Sequence, residues 1–457
     1  MPVHEATWRE SLVRLGRALQ VPDLRKRLIF IGLMFALFVA GLHIPAPFVD
    51  PKKIEELANT GVFGLFDILS GGAFRRLSIL ALGIVPYINA SIIMQLLGIA
   101  VPSIQRLQKE GEGGRRIISS YTRWGTVILA LLQAGGLAIY LHNIGAVTIS
   151  SSFGLLGVLP LVLAMTAGTS FLMWMGEQLT DRGIGNGISL IIFAGIMISL
   201  PVTFLEIFKL ARAQSSGNLA MAVMSILAIV AIFVAIVVFI TYVHQATRQI
   251  PIQHAKRQVG GRNFSAANTY LPLKIATAGV IPIIFAISVV MLPATIAQMV
   301  AKSQNLTINV ANPQTWIDYL MWLSPGYHWL GAVVYFLLVV FFTYFYTAVI
   351  YNVQDISDNL KNHGSFVPGL RPGKQTEKYI DQVLTRITFA GAIFLGVVAL
   401  LPYIIPVILR AADSDSGANL FPLWGGTSLL IVIGVALDTM KQIEAHLVMR
   451  HYDGFIK

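Results

Sequence analysis

The side chains able to do chemistry in this sequence are few, and none stands in a pattern that a reaction would need. Cysteine is absent, which removes a disulfide framework and a thiolate metal site together. His142, His328 and His363 stand singly, and no two histidines sit four residues apart beside a glutamate, as a helical zinc protease site requires. Each of the three is by default a capping or solvated residue. No phosphate-cradling loop of the Walker type occurs, so any nucleotide energy must come from a partner. Glu177, Asp181, Glu206 and Asp438 fall near the ends of long apolar runs, where snorkelling or interfacial pairing accounts for them cheaply. Ion-coupled pumps need ionisable groups at membrane depth, so this distribution argues against proton or ion coupling.

What remains is aliphatic. Ile84 and Ile88 are four residues apart, and Ile188 and Ile192 repeat the spacing, which puts each pair on one face of a helix. Aliphatic side chains converging in an interior form a dry constriction that opposes ion flow by dewetting yet yields to a larger chain. The same spacing serves helices that face lipid or a neighbour, so spacing alone leaves both readings open.

The elements that would position these residues are membrane spans. Of 457 residues, 55% are hydrophobic and 12% charged, and the mean hydropathy is +0.71. A water-facing surface needs about twice that share of charge, so the composition is that of a polytopic membrane protein. Ten apolar runs are long enough to cross: about 28–44, 77–97, 124–141, 155–175, 188–204, 219–243, 275–300, 330–351, 387–409 and 424–437. Before them, Arg9, Arg14 and Arg17 interrupt any signal-peptide core, while Trp8, Leu12, Leu15 and Leu19 share a helical face that suits the membrane surface.

An even number of spans puts both termini on one side. Only Lys52, Lys53, Arg75, Arg76, Lys209, Arg212, Lys302 and Arg410 of the 33 Lys and Arg fall on the far side. The termini are therefore expected to be cytoplasmic, and the formal charge of +11 reflects the positive-inside rule rather than a nucleic-acid surface. Two cytoplasmic loops, about 245–274 and 352–386, are long and polar. Such loops either bind something or serve as solvated connectors that set topology. Ten spans divide five plus five, and Gly83 and Pro86 of the second span correspond to Gly279 and Pro282 of the seventh. An odd number of spans per half forces the halves to be inverted relative to each other, an arrangement common among transport folds.

One stretch does not fit a simple span. Val62 to Leu69 is too short to cross, and Gly71 and Gly72 separate it from the run at Leu77 to Leu97, which at about 32 Å as a helix is long enough. A half-helix leaves terminal backbone groups unpaired, so it must be buried in protein or line a cavity.

Several longer motifs resemble the SecY family, the central subunit of the bacterial protein-conducting channel. They are Ser70-Gly71-Gly72-Ala73 followed by Ser78 to Leu97, Lys109 to Arg116 (KEGEGGRR), Met173 to Ser189 (MWMGEQLTDRGIGNGIS), Tyr270 to Phe285, Phe342 to Thr347, Phe366 to Lys374 (FVPGLRPGK) and Gly425 to Val435. The resemblance implies an all-α polytopic membrane protein, with ten transmembrane helices in two inverted five-helix halves around an hourglass pore. The halves would cover 28–218 and 219–444, between a cytoplasmic amphipathic segment at 1–27 and a tail at 445–457. It further implies that 62–73 is the plug, with Val62, Phe63, Leu65, Phe66, Ile68, Leu69, Gly71 and Gly72 closing the channel from outside and the Gly pair as its candidate hinge. The pore ring would be Ile84, Ile88, Ile188, Ile192, Ile284 and Ile431.

By the same resemblance the second and seventh spans form the lateral gate, with Asn89, Ser91 and Pro282 on it. Polar groups there either bond between helices and tune the closed state or bond locally within their own helix. Arg371 matches the arginine on which docking of the SecA motor ATPase and the ribosome depends; Lys374 lies beside it. Between Gly369 and the Pro372-Gly373 pair the turn should present its guanidinium outward. Lys256, Arg257 and Arg262 of the first loop could meet ribosomal RNA phosphates. The implied function is a passive plasma-membrane channel for preproteins that also releases transmembrane segments sideways into lipid. It would use no cofactor and perform no chemistry, with SecE-type and SecG-type subunits as its braces. Two departures concern docking: the chain has Gln249 and His254 where the family has a second basic residue and a Tyr, and Asn352-Val353 in place of Asn-Pro. A solute transporter and a pore-free insertase are the rival readings; the first needs a compact polar site at the midplane, and none is found.

Overall fold

The structure, a computed structural model, describes residues 21–50, 71–143, 145–147, 157–214, 219–254, 258–259, 262–263, 269–276, 278–303, 313, 315–323, 325, 328–411 and 426–453. Each expected span overlaps one long helix among these residues: α1 (Pro22–Leu42), α2 (Val85–Ala100), α4 (Glu112–Asn143), α5 (Leu159–Arg182), α6 (Gly187–Gln214), α7 (Leu219–Gln245), α8 (Ile281–Ser303), α10 (Trp329–Ile350), α12 (Lys374–Ala411) and α13 (Gly426–Asp453). Three short helices join them: α3 (Pro102–Lys109), α9 (Trp316–Met321) and α11 (Val353–Asn362). Five of the helices are long and apolar enough to cross a membrane on those criteria alone, and α2 with α3 forms a pair bent by 99°. α1 carries Arg25, Lys26 and Arg27 in its first turns, which dilutes its hydropathy without shortening it.

Two spans begin later than hydropathy predicts. The run from Leu77 reads as one 21-residue helix, but 77–84 is a chain of turns and the helix starts at Val85. Likewise 275–276 and 278–280 precede α8 as turns. Both non-helical approaches end alike, with a glycine in the left-handed region, Gly83 at φ 58° and Gly279 at φ 62°, and a proline three residues on. A side chain at positive φ is costly, and proline lacks the N–H that a first helical turn leaves unused, so Gly-x-x-Pro defines each start.

The chain packs into two compact units, 1–207 with 291–321 and 431–457, and 208–290 with 322–430. In the first, α4 packs on α2 and α5, and α1 on α5. A core of Phe74, Leu77, Leu82, Leu137, Leu141, Leu161 and Met165 joins the turn segment to α4 and α5. In the second unit, α10 packs along α12, and Phe285 of α8 meets the edges of Phe342 and Tyr346 of α10.

The second unit also contains the β-strands among the described residues. β1 (Thr247–His254), β4 (Thr269–Lys274) and β5 (Ser365–Phe366) form an antiparallel sheet in the order β4-β1-β5, and β2 (Gln258–Val259) pairs with β3 (Arg262–Asn263). β1 and β4 come from the first polar loop and β5 from the second, so the two loops make one structure. Ile250 and Leu273 are buried with Val367 against Leu271, Leu370, Tyr379 and Val383.

Candidate functional site

The non-helical stretch before α2 satisfies its backbone internally, which is what permits irregular chain at membrane depth. The Leu77 carbonyl accepts from Ala46 N at 2.8 Å, Ile79 N donates to the Ile44 carbonyl at 3.0 Å, and the turns close through Ser78 N to Ala73 O and Gly83 N to Leu80 O. Ser78, fully buried, accepts from Leu80 N at 3.1 Å. α5 comes close enough that a Cβ on Gly168 would collide with the Ile79 carbonyl, and Thr169 donates to the Gly83 carbonyl at 3.4 Å. Ile84 is thereby held at the N-cap of α2, and Ile88 N donates to the Ile84 carbonyl one turn on. Both side chains are buried.

Ile188 and Ile192 are set by a tight turn between α5 and α6. The Asn186 carboxamide oxygen accepts from Ile188 N at 3.0 Å and Ser189 N at 3.3 Å, a helix N-cap. Thr180 ties the two helices, accepting from Gly187 N and donating to the Gly176 carbonyl, both at 2.9 Å. The missing side chain at Gly176 makes room for Ile188, whose Cγ1 would lie 3.3 Å from a Cβ there. Ile188 is half-buried; Ile192 is buried. Ile431 of α13 and, in the other unit, Ile284 of α8 are buried too.

Of the plug, Val62, Phe63, Leu65, Phe66, Ile68 and Leu69 lie outside the described residues, as do residues 1–20 of the N-terminal segment, whose last residues open α1. Its hinge end is described. Gly71 and Gly72 stand at φ 72° and 82°, and a Cβ on Gly71 would be 2.8 Å from Gly195 Cα and 3.0 Å from its carbonyl oxygen. The two backbones touch. Gly195 follows Ile188 and Ile192 at helical spacings of seven and three, so Gly71 rests on the stripe that carries both isoleucines. This contact was not read from the sequence, although a glycine on an isoleucine stripe was its available signal.

On the gate helices, Pro282 is buried in the first turn of α8. Ser91 is engaged locally, accepting from Gln95 Nε2 at 3.3 Å. The Nδ2 of buried Asn89 has no hydrogen-bond partner among the described residues.

The turn that carries Arg371 is fixed by its own main chain. Gly369 and Gly373 take φ 82° and 103°, Leu370 N donates to the Val367 carbonyl at 3.1 Å, and Leu370 packs into the sheet core. The Arg371 carbonyl accepts from the Thr376 hydroxyl at 3.0 Å, and its N–H donates to Gln375 Oε1 at 3.4 Å. With its backbone held on both sides, the Arg371 side chain is exposed, as is that of Lys374, the first residue of α12. Lys256 and Arg257 lie outside the described residues, and Arg262 pairs with Val259 across β2 and β3. The departure at Val353 is benign locally: Asn352 caps α11, its Oδ1 accepting from Asp355 N at 3.4 Å, and Val353 takes the first helical position that a proline would fill.

The titratable residues settle into structural duties. Glu177 accepts from Arg123 Nε at 2.8 Å, His328 stacks on Trp322 with ring centres 4.3 Å apart, and His363 caps the C-terminus of α11.

Comparison with known proteins matches this arrangement at two levels. A family model described as SecY covers residues 78–440. The protein translocase subunit SecY of Streptomyces galbus is 40% identical over 458 residues, covering 98% of this chain and all of the relative. Among solved structures, a protein-conducting channel superposes with a TM-score of 0.66 at 19% identity over 93% of each chain. Sec61 in the canine ribosome–channel complex from the endoplasmic reticulum does so with a TM-score of 0.61 at 18% identity, again over 93% of each. The fold is thus an all-α polytopic membrane fold, and with a family match across most of its length the chain belongs to the SecY family.

Proposed function

We propose that this chain is the channel-forming subunit of a protein translocase, a passive pore that passes unfolded preproteins across the plasma membrane and lets transmembrane segments leave sideways. Family membership over residues 78–440 is the observation that carries the reading. In keeping with it, the residues matching the family's pore ring are all aliphatic and no titratable group stands among them. A ring of Ile84, Ile88, Ile188, Ile192, Ile284 and Ile431 repels hydrated ions because each would have to shed water against side chains that offer no hydrogen bond. The same ring yields to an extended polypeptide. Plug residues 62–73 complete the seal, and α2 and α8 serve as the gate walls, in two inverted halves.

The chain itself performs no bond chemistry in this reading. SecA or the elongating ribosome supplies the drive through Arg371, Lys374, Lys256, Arg257 and Arg262, with SecE-type and SecG-type subunits bracing the helices and the termini in the cytoplasm. The ribosome-bound Sec61 neighbour supports a ribosomal contact at this class of fold. Opening follows if an apolar signal helix binds the separated gate better than the closed one, since a ligand shifts an equilibrium only by its differential affinity. Planar-bilayer recordings of the doubly substituted Ile84→Gly, Ile88→Gly channel test the ring: resting ion conductance rises several-fold over wild type. Unchanged conductance removes these residues from the constriction.

A further inference from the structure

The chain between α8 and α10 contains an element that the channel reading does not use. α9 is a six-residue helix with two unlike sides. Ile317, Asp318 and Met321 are buried at 1%, 2% and 1% exposure, whereas Trp316 and Tyr319, three residues apart and so on one face, are 59% and 54% exposed. The helix carries a single charge, and it is turned inward: the Asp318 carboxylate accepts from the Thr315 N–H at 2.9 Å and from its hydroxyl at 2.8 Å, capping the helix start. The outer face is therefore aromatic and uncharged. Trp329, 67% exposed, opens the next spanning helix eight residues after Met321.

We propose that α9 lies in the lipid headgroup region, on the membrane face opposite the termini, with Trp316 and Tyr319 as its bilayer contacts. A segment that leaves one span and enters the next begins and ends at that surface. Water is a poor neighbour for two rings more than half exposed, and the hydrocarbon interior a poor one for an indole N–H and a phenol. The headgroup layer satisfies both ends of each side chain, which is why Trp and Tyr gather there. With Asp318 directed inward, no charge on the exposed face opposes this placement. The contact fastens the segment joining α8, one of the gate walls, to the surface of the bilayer. The inference rests on the multi-pass topology given under Proposed function.

The absence of native cysteine makes a direct test possible. Trp316→Cys and Tyr319→Cys each give one attachment point for an environment-sensitive fluorophore, and Lys361→Cys, exposed on α11, gives a water-facing comparison. The full chain is assembled with its small partner subunits in phosphatidylethanolamine and phosphatidylglycerol vesicles that contain nitroxide lipids. Labels at 316 and 319 are expected to be quenched several-fold more by nitroxide near the headgroup than by nitroxide deep in the acyl chain, and the label at 361 by neither. Quenching by aqueous iodide alone overturns the proposal in favour of a solvated loop. Protection from both iodide and lipid nitroxide overturns it in favour of a covering protein subunit. A membrane-impermeant maleimide applied to sealed vesicles of one orientation reports separately on topology: if it reaches positions 316 and 361 from the same face, the multi-pass reading fails, whatever the lipid quenching shows.

Discussion

Burial strips water from the Asn89 amide, and its Nδ2 meets no acceptor among the described residues. An unsatisfied buried donor costs about 1–3 kcal/mol, so Asn89 on α2 holds the observed arrangement below its attainable stability. Asn89→Leu keeps the number and branching of the side-chain heavy atoms and removes the unpaired group. Thermal unfolding of the assembled complex should then shift upward by the equivalent of about 1–2 kcal/mol, and export of precursors with weakened signal sequences should fall. A lower midpoint would show that the amide has a partner in the assembly. Arg371 presents the opposite case, an exposed side chain on a backbone fixed by Gly369, Gly373, Thr376 and Gln375. Because the turn does not depend on the guanidinium, Arg371→Glu should leave stability and resting conductance alone while reducing SecA-driven translocation by about tenfold, about 1.4 kcal/mol of lost contact. Wild-type activity in proteoliposomes would remove Arg371 from the docking surface. Such residue roles were legible only through motifs; nothing in the spacing of Asn89 signals that it is left unpaired.

At the scale of elements, hydropathy located the ten long helices but not where two of them begin. Window averages register apolar content and are blind to backbone turns, so 77–84 and 275–280 read as helix although each ends in a positive-φ glycine. The Gly83-to-Pro86 and Gly279-to-Pro282 correspondence was the visible trace of those turns. The sheet was missed for other reasons: β5 joins β1 from a loop about a hundred residues away, which no local pattern encodes, and the polarity of the first loop hid β1 and β4. Ile250 with Ile252 and Leu271 with Leu273 do alternate with period two, the strand signal that loop polarity masked. The hinge contact of Gly71 on Gly195 was equally non-local. It predicts that Gly71→Ala, strained by about 1–2 kcal/mol at φ 72° and lodged against the backbone of α6, displaces the hinge, raises resting leakage and relaxes signal selectivity. Leakage and selectivity equal to wild type would show that this contact does not hold the plug.

For the whole molecule, composition and charge placement already pointed to a multi-pass protein with its basic loops on one side, because 55% hydrophobic residues with 12% charged leave few alternatives. The same sparseness of charge separates the channel from its rivals: a solute transporter needs polar groups gathered at depth, and an insertase without a pore needs no aliphatic constriction. The account's central claim is that the chain conducts polypeptide and that energy comes from outside it. Its most direct test is reconstitution of the full chain with SecE-type and SecG-type subunits in sealed vesicles, with SecA, ATP and a secretory precursor on the outside, followed by protease challenge. The account predicts full-length precursor protected inside the vesicles only when SecA and ATP are both present. Precursor left wholly accessible to protease in the complete system, with the complex shown to be assembled, would contradict it.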